Sequence, residues 1–293
     1  HTASINYSFL PAILCGGTII LEESFWKARA KLWGLIKKYN VTYLEVVPSI
    51  LLALINTPYK EEDYSNIKSL RFIGCGSSML PLDRQNRFMK KYGIKIANLY
   101  GLSETGPTHI DYPLNKGWKP GSIGIPLDVN EVKIVDKDNN ILKDGETGEI
   151  KIKGDNVFIS YYGNDKLYNQ VIIDGYFHTG DLGYVDKEGK HHFTGRLKEL
   201  IIKGGINISP DEIDEVIYRM DPVSESLTVG KPDEYLGEII VTYIVLNDGY
   251  GLTEDEVISY CSGYLSRDKI PNKIEFVAKI PQGHSGKYLR KKI

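Results

Sequence analysis

The chain is poor in several things that would place it in common protein classes. Among its 293 residues there are three cysteines, Cys15, Cys75 and Cys261, far apart and odd in number. That excludes a disulfide scaffold, and no Cys/His cluster has the spacing of metal ligands. Scattered thiols fit a reducing compartment, so a cytoplasmic location is expected. No apolar run reaches the length of a membrane span. Residues 8–21 come nearest, but Pro11, Gly16 and Gly17 interrupt them, and they read as a buried segment. A basic excess is also missing: 36 Lys and Arg face 38 Asp and Glu, for a net charge of -2. Nucleic-acid binders usually show a basic surface, so no nucleic-acid partner is expected. There is no internal repeat and no low-complexity tract. The chain opens at His1, without a start methionine or leader, on an apolar segment; it reads as a fragment of a longer protein.

What is present is an ordinary apolar content of 42% and enough length for two domains with real cores. Residues 25–39 read as a helix carrying Trp26, Ala30, Trp33 and Ile36. Val41–Val47 reads as a strand, and Pro48 opens a helix through Ile55. Residues 69–75 read as a strand followed by a Gly/Ser loop. A helix from Asp83 to Tyr92 closes on Gly93, and Ile94–Leu99 is the next strand. Strand, loop, helix, strand is the rhythm of an α/β layer. After residue 112 short strands alternate with turns, at Val132–Val135 and Gly148–Lys153. Glu149, Lys151 and Lys153 alternate there with Ile150 and Ile152, which predicts one wet sheet face.

From about residue 197 a second, compact α/β unit of roughly 100 residues is expected. Ser209 with Glu212, and Thr253 with Glu256, form two predicted capping boxes. Ile213, Val216, Ile217 and Met220 make one apolar face, and Gly237–Leu246 and Ile274–Ile280 read as strands.

Five segments carry candidate chemistry. Gly74–Ser78 lies at a strand end, where ligands usually bind; it is either a close-approach loop or a plain tight turn. Asn98–Gly106 puts an aromatic ring, a hydroxyl and a carboxylate into one turn. It suits a base and a phosphate-bound Mg²⁺, or is a polar surface loop. Tyr176–Asp181 offers an Asp for a ligand diol, or a local cap. Gly195–Leu200 with Lys203-Gly204-Gly205 is a charged hinge beside a cleft, or a charged linker. Ser285–Arg290 is a reaching lysine on a tail, or an ordinary basic terminus.

In this order the five segments resemble the adenylate-forming (AMP-binding) superfamily of acyl-CoA ligases, carrier-protein adenylation domains and luciferase. Tyr100-Gly101-Leu102-Ser103-Glu104 is similar to its tyrosine-glycine-x-threonine/serine-glutamate motif. Tyr176–Asp181 resembles its ribose motif, Gly195–Pro210 its hinge and thiol tunnel, Ser285–Lys287 its catalytic-lysine motif, and Gly76–Pro81 its adenine-side loop.

The resemblance implies a multi-domain α/β fold. Residues 1–196 would be a truncated large domain, with an α/β layer (1–111) and a small β-rich subdomain (112–196). Residues 197–293 would be a small mobile α+β domain with its hinge near Lys198. The resemblance also implies residue roles. Glu104 holds Mg²⁺ and Ser103 meets phosphate. Tyr100 and Gly101 pack on adenine, with Gly76 and Ser77 on its other side, and Asn98 meets the amino group. Asp181 binds the ribose hydroxyls, and Arg196 ribose or phosphate. Gly204 and Gly205 line the thiol's approach. Lys287 approaches the carboxylate and α-phosphate, and His1 lies close to a position beside the acyl pocket.

The implied substrates are ATP, a small carboxylic acid, and coenzyme A or the phosphopantetheine of a carrier protein. The family's glycine-rich phosphate loop would precede His1, so the chain alone is expected to be a poor catalyst. His284 stands where a small polar residue is more usual. The implied function is an ATP-dependent acid–thiol ligase. The rival reading is a non-catalytic adenylate-binding or interaction protein. Leu99, Leu102, Cys75 and the segment near His1 are the expected acyl lining. No conspicuous charge stands among them, which favours an uncharged or aromatic acid.

Overall fold

A computed structural model of the chain describes residues 2–65, 67–282, 288 and 290. It divides into two compact units: His1–Lys133 with Lys151–His178 and Val185–His192, and Ile134–Ile150 with Thr179–Tyr184 and Phe193–Ile293.

The first unit is built on three parallel strands, β1 (Tyr43–Val46), β2 (Phe72–Gly76) and β3 (Ile96–Leu99), in the order β1-β2-β3. Glu45 lies opposite Gly74, and Gly76 opposite Leu99. Side chains alternate along a strand, so each sheet face takes every second residue. One face presents Val46, Ile73, Cys75 and Ile96 to a core completed by Trp33, Ile36, Leu51, Leu54 and Phe88. Those last residues come from helices Leu32–Tyr39, Pro48–Asn56 and Leu82–Tyr92. Proline at the first turn opens the second of these helices, where its missing N–H costs nothing. Gly93 closes the third in the left-handed region at φ 68°. The sheet is thus pinned from one side, and the ends of its strands are fixed relative to one another.

Beyond β3 come four two-residue strands. β4 (Gly101–Leu102) pairs β5 (Gly106–Pro107), and β6 (His109–Ile110) pairs β7 (Ile125–Pro126), both antiparallel. The middle of the chain is β-rich, with β8 (Asn130–Val135), β9 (Gly148–Gly154), β10 (Ile172–Ile173), β11 (Tyr176–Val185) and β12 (His191–Arg196).

In the second unit β13 (Ile201–Lys203), β14 (Ile206–Ile208), β15 (Val223–Asp233), β16 (Gly237–Leu246) and β17 (Lys273–Phe276) form one sheet. Its order is β14-β13-β16-β15, with β17 parallel to β16. Helices Pro210–Ile217 and Glu254–Ser262 bury Ile213, Val216, Ile217, Val257 and Cys261 in a core with Ile240 and Ile244. The apolar face predicted for Ile213–Met220 is therefore present.

Five expectations are corrected. Residues 8–21 are not a buried segment, since Ile13, Leu14 and Leu21 are 53%, 83% and 79% exposed. Residues 25–39 are two α-helical pieces, Phe25–Ala28 and Leu32–Tyr39, joined by a 3₁₀ turn at Arg29–Lys31. A turn of three residues shifts the helical phase, which buries Ala28 and leaves Trp26 64% exposed. Lys151 does not face water but is 4% exposed. Its ammonium lies 5.2 Å from the centre of the Tyr176 ring, a cation–π contact that offsets part of its desolvation. Ser209 does not cap through its side chain. Its hydroxyl donates to the Thr194 carbonyl at 2.7 Å instead, and Glu212 is drawn to Lys269. The last strand is Lys273–Phe276, shorter than Ile274–Ile280. The capping box at Thr253 and Glu256 does form, with both reciprocal bonds in place.

Candidate functional site

The loops that leave β2 and β3 start side by side, because the ends of those strands are paired as Gly76 with Leu99. Carboxyl ends of adjacent parallel strands are the usual ligand position in α/β sheets. Gly76 is needed there for space: a Cβ would lie 2.6 Å from the Leu99 carbonyl oxygen. Ser77 follows in the left-handed region at φ 71°, which a non-glycine residue rarely adopts. Such strain is retained where the surroundings fix it, often at binding loops.

The Asn98–Gly106 segment is a tight hairpin, not an open loop, with Ser103 exposed at its tip and Glu104 half-buried. Gly101 sits so close to the Gly106 carbonyl that no side chain fits. Three outside groups hold the hairpin. Asn156 donates to the carbonyls of Thr105 and Pro107 at 2.9 and 3.0 Å. The Phe158 amide donates to the Glu104 carbonyl at 2.7 Å. The Tyr161 hydroxyl donates to Glu104 Oε1 at 3.0 Å, and burial together with that carboxylate pushes the phenol up to about 12.

Tyr100 is 8% exposed and meets the His109 ring edge-on at 5.2 Å. Its carbonyl accepts from Tyr7 Oη at 2.8 Å and from the Thr108 amide at 3.2 Å. Behind it, His109 Nε2 is 2.8 Å from His191 Nδ1. Burial, then the neighbouring His191, push His109 down to about 3, so this imidazole stays neutral near pH 7. The Asn98 amide donates to Asp111, which burial raises to about 6.

In the second unit Asp181 lies on β11, not in a turn, and is 2% exposed. Arg196, the last residue of β12, meets it at 3.0 Å. The two residues that the resemblance assigns to ribose, both just before the predicted hinge at Lys198, are thus an ion pair. Lys198 is exposed on a single 3₁₀ turn, Leu197–Glu199. Gly204 and Gly205 are the two-residue turn of the β13–β14 hairpin, both at positive φ, as that turn requires.

Arg290 lies in a nest of acids. It reaches Asp211 at 2.6 Å, Glu199 at 3.0 Å and Asp214 at 3.8 Å, and donates to the Thr228 carbonyl. Asp214 also accepts from Ser226 and Thr228 hydroxyls and the Thr228 amide. Lys287, His284 and His1 lie outside the described residues. Cys75 is corrected: it is fully buried with Ile73 and Ile96 in the core, on the face away from Leu99.

The glycines and Glu104 were legible as a pattern. Tyr7, Asn156, Tyr161 and Arg290 were not picked out as partners, because each acts across a long sequence separation and no local motif marks it.

A single carboxylate at the tip of a hairpin fits a metal carried on phosphate, since Mg²⁺ keeps most of its waters and takes one or two protein carboxylates. Among the described residues no group of three or more acidic, His or Cys side chains makes an all-protein cage.

Residues 1–162 match the AMP-binding enzyme family, and residues 212–287 match the AMP-binding enzyme C-terminal domain. The chain belongs to the AMP-binding enzyme family. Sulfoacetate–CoA ligase of Cupriavidus necator is 32% identical over the whole chain and 57% of that protein. Feruloyl-CoA synthase of an Amycolatopsis species is 32% identical over 99% of the chain and 58% of its own length. ATP-bound MatB from Rhodopseudomonas palustris superposes with a TM-score of 0.91 at 29% identity, covering 100% of this chain and 58% of that one. o-Succinylbenzoate CoA synthetase from Bacillus subtilis, solved with its acyl-adenylate intermediate, gives 0.86 at 30% identity, again over 100% and 58%. The chain thus spans a little over half the length of these relatives. Among the described residues no helix is long and apolar enough to cross a membrane.

Proposed function

We propose that the protein containing this chain is an ATP-dependent acid–thiol ligase. A carboxylate oxygen attacks the α-phosphorus of ATP; that P–O bond forms, the bond to the β-phosphate bridge breaks, and pyrophosphate leaves. A thiol sulfur then attacks the carbonyl of the acyl-AMP, and AMP leaves. The observation that carries this reading is the adjacency of the Gly76-Ser77 loop and the Tyr100–Glu104 hairpin at the paired ends of β2 and β3. The glycine lets backbone approach a flat base, and the hairpin offers a hydroxyl and a carboxylate to the phosphates. Kinship with CoA ligases and with structures holding ATP or an acyl-adenylate supports the same reading.

In this proposal Gly76, Ser77, Asn98, Tyr100 and Gly101 hold adenine. Tyr100 does so largely through its backbone and the residual edge of a buried ring. Ser103 binds phosphate. Asp181 accepts from the ribose hydroxyls while Arg196 fixes its carboxylate. Glu104, oriented by Tyr161, takes phosphate-bound Mg²⁺, which when present neutralises charge gathering on the leaving pyrophosphate. Lys287 offsets the charge of the approaching carboxylate. The acceptor is coenzyme A or a carrier-protein phosphopantetheine, entering past Gly204 and Gly205. Lys198 is the pivot between the two half-reactions, and the cytoplasm is the site of action. The residue boundary 196/197 between the large and small domains belongs to this proposal.

The test is Lys287→Ala in the complete protein, assayed separately for acyl-AMP formation and for thioester formation from synthetic acyl-AMP. The first should fall at least a hundredfold and the second little. Equal losses in both would overturn the role.

A further inference from the structure

Two buried histidines stand behind the tyrosine assigned to adenine, and the proposed chemistry makes no use of them. His109 lies on β6 and His191 opens β12; they are 2% and 6% exposed. The His191 backbone is pinned by two bonds. Its amide donates to the Gly124 carbonyl at 2.8 Å, and its carbonyl accepts from the Ile123 amide at 2.9 Å. From there its ring reaches inward, with Nδ1 2.8 Å from His109 Nε2. On the other edge of His109, Nδ1 lies 2.9 Å from the hydroxyl of the fully buried Thr108. That hydroxyl donates to the Tyr100 carbonyl at 3.4 Å. Three links thus run from His191 through His109 and Thr108 to Tyr100.

Proton counting gives their direction. A carbonyl only accepts, and a hydroxyl has one proton to give. Since Thr108 donates to Tyr100, its oxygen accepts from His109 Nδ1–H. A neutral imidazole carries one N–H, so His109 Nε2 accepts in turn, and His191 Nδ1–H donates to it. This is the one ordering that makes all three links together. It requires a neutral His109, which burial also favours.

The chain ends where the base is expected. The Tyr100 ring meets the His109 ring at 5.2 Å with the planes 79° apart, so the imidazole backs the phenol as well as its carbonyl. The far side of the hairpin has separate braces: Asn156 holds Thr105 and Pro107, and the Phe158 amide and the Tyr161 hydroxyl hold Glu104. Slackening the histidine chain would therefore move Tyr100 and spare Glu104.

We propose that His191 and His109 are positioning residues for the nucleotide, acting through Thr108 and Tyr100 to hold the adenine side of the site. The inference rests on the adenylate-site reading above and adds to it a task for the buried pair.

The experiment uses the complete protein. Binding of MgATP and of AMP is measured by titration calorimetry, and acid-dependent pyrophosphate exchange is measured at saturating ATP with an acid that the wild type accepts. His191→Phe keeps a ring and removes the donor to His109. It should weaken both nucleotides about tenfold, while exchange at saturating ATP stays within about threefold of wild type, a split that marks lost binding. His191→Asn, whose amide nitrogen can stand in for Nδ1–H, should restore both affinities to within about threefold. Thr108→Val breaks the middle link at constant shape, should match His191→Phe, and decides the matter if the phenylalanine variant does not fold. Unchanged nucleotide affinity in folded His191→Phe or Thr108→Val overturns the inference and leaves the adenylate site standing. So does an asparagine variant as weak as the phenylalanine one, or a loss shared equally by affinity and saturated rate. A wild type that binds neither nucleotide and exchanges with no acid of a broad panel removes the reading on which the inference rests.

Discussion

The two units hold their candidate residues by different means. In the first, a hairpin and a strand-end loop are shaped by backbone contact: Gly76 against Leu99, Gly101 against Gly106, with Asn156 and Tyr161 bracing the outside. In the second, side-chain charge does the holding. Arg290 gathers Glu199, Asp211 and Asp214, and Arg196 meets Asp181. Backbone shape tolerates salt but not an added methyl. Buried charge tolerates small changes in volume but not the loss of one partner.

The largest expected effect breaks the charge network. Arg290→Ala strands three carboxylates, two of them nearly buried, and should destabilise the second unit by about 4 kcal/mol. Chemical denaturation followed by probes in each unit measures it; a loss under 1 kcal/mol would show that water replaces the guanidinium. Next is Gly101→Ala, which drives a methyl into the Gly106 carbonyl and should cost about 3 kcal/mol. Hydrogen exchange should show the loss concentrated in β4 and β5.

This contrast also explains what was legible in the sequence. The α/β rhythm, the glycines at strand ends and the Thr253 capping box are local, so spacing revealed them. The Ser209 box failed because a tertiary acceptor, the Thr194 carbonyl, competes for the hydroxyl. Lys151 was misplaced because the ring that shelters it, Tyr176, comes 25 residues later in the chain. Cys75 was placed on the ligand face because its neighbours in sequence are there, although alternation turns it the other way. Arg290 is 62 residues from Thr228 and 79 from Asp211, so nothing short-range announces its nest.

A middle-sized effect sharpens the comparison by pH. His109 titrates near 6.5 when unfolded and near 3 in the fold, so its neutral form is the folded one. Its contribution is fully present above 6.5 and is lost as pH falls toward 3. At pH 5 the loss is about 2 kcal/mol relative to pH 8. His109→Gln should flatten that slope, leaving the part due to His191, which burial also lowers; parallel curves would contradict it. The smallest effect is at the surface. Thr253→Ala removes one side of a formed capping box and should cost about 1 kcal/mol, read as a few degrees in Tm.

In the proposed function the paired ends of β2 and β3 form an adenylate-forming site with Glu104 as its phosphate-side carboxylate. Acid-dependent exchange of labelled pyrophosphate into ATP tests it most directly, using the complete protein and its Glu104→Gln variant, which keeps shape and removes charge. Exchange should be robust in the wild type and lower by about a hundredfold or more in the variant, with the fold intact. Exchange that is equal in the two proteins would contradict it.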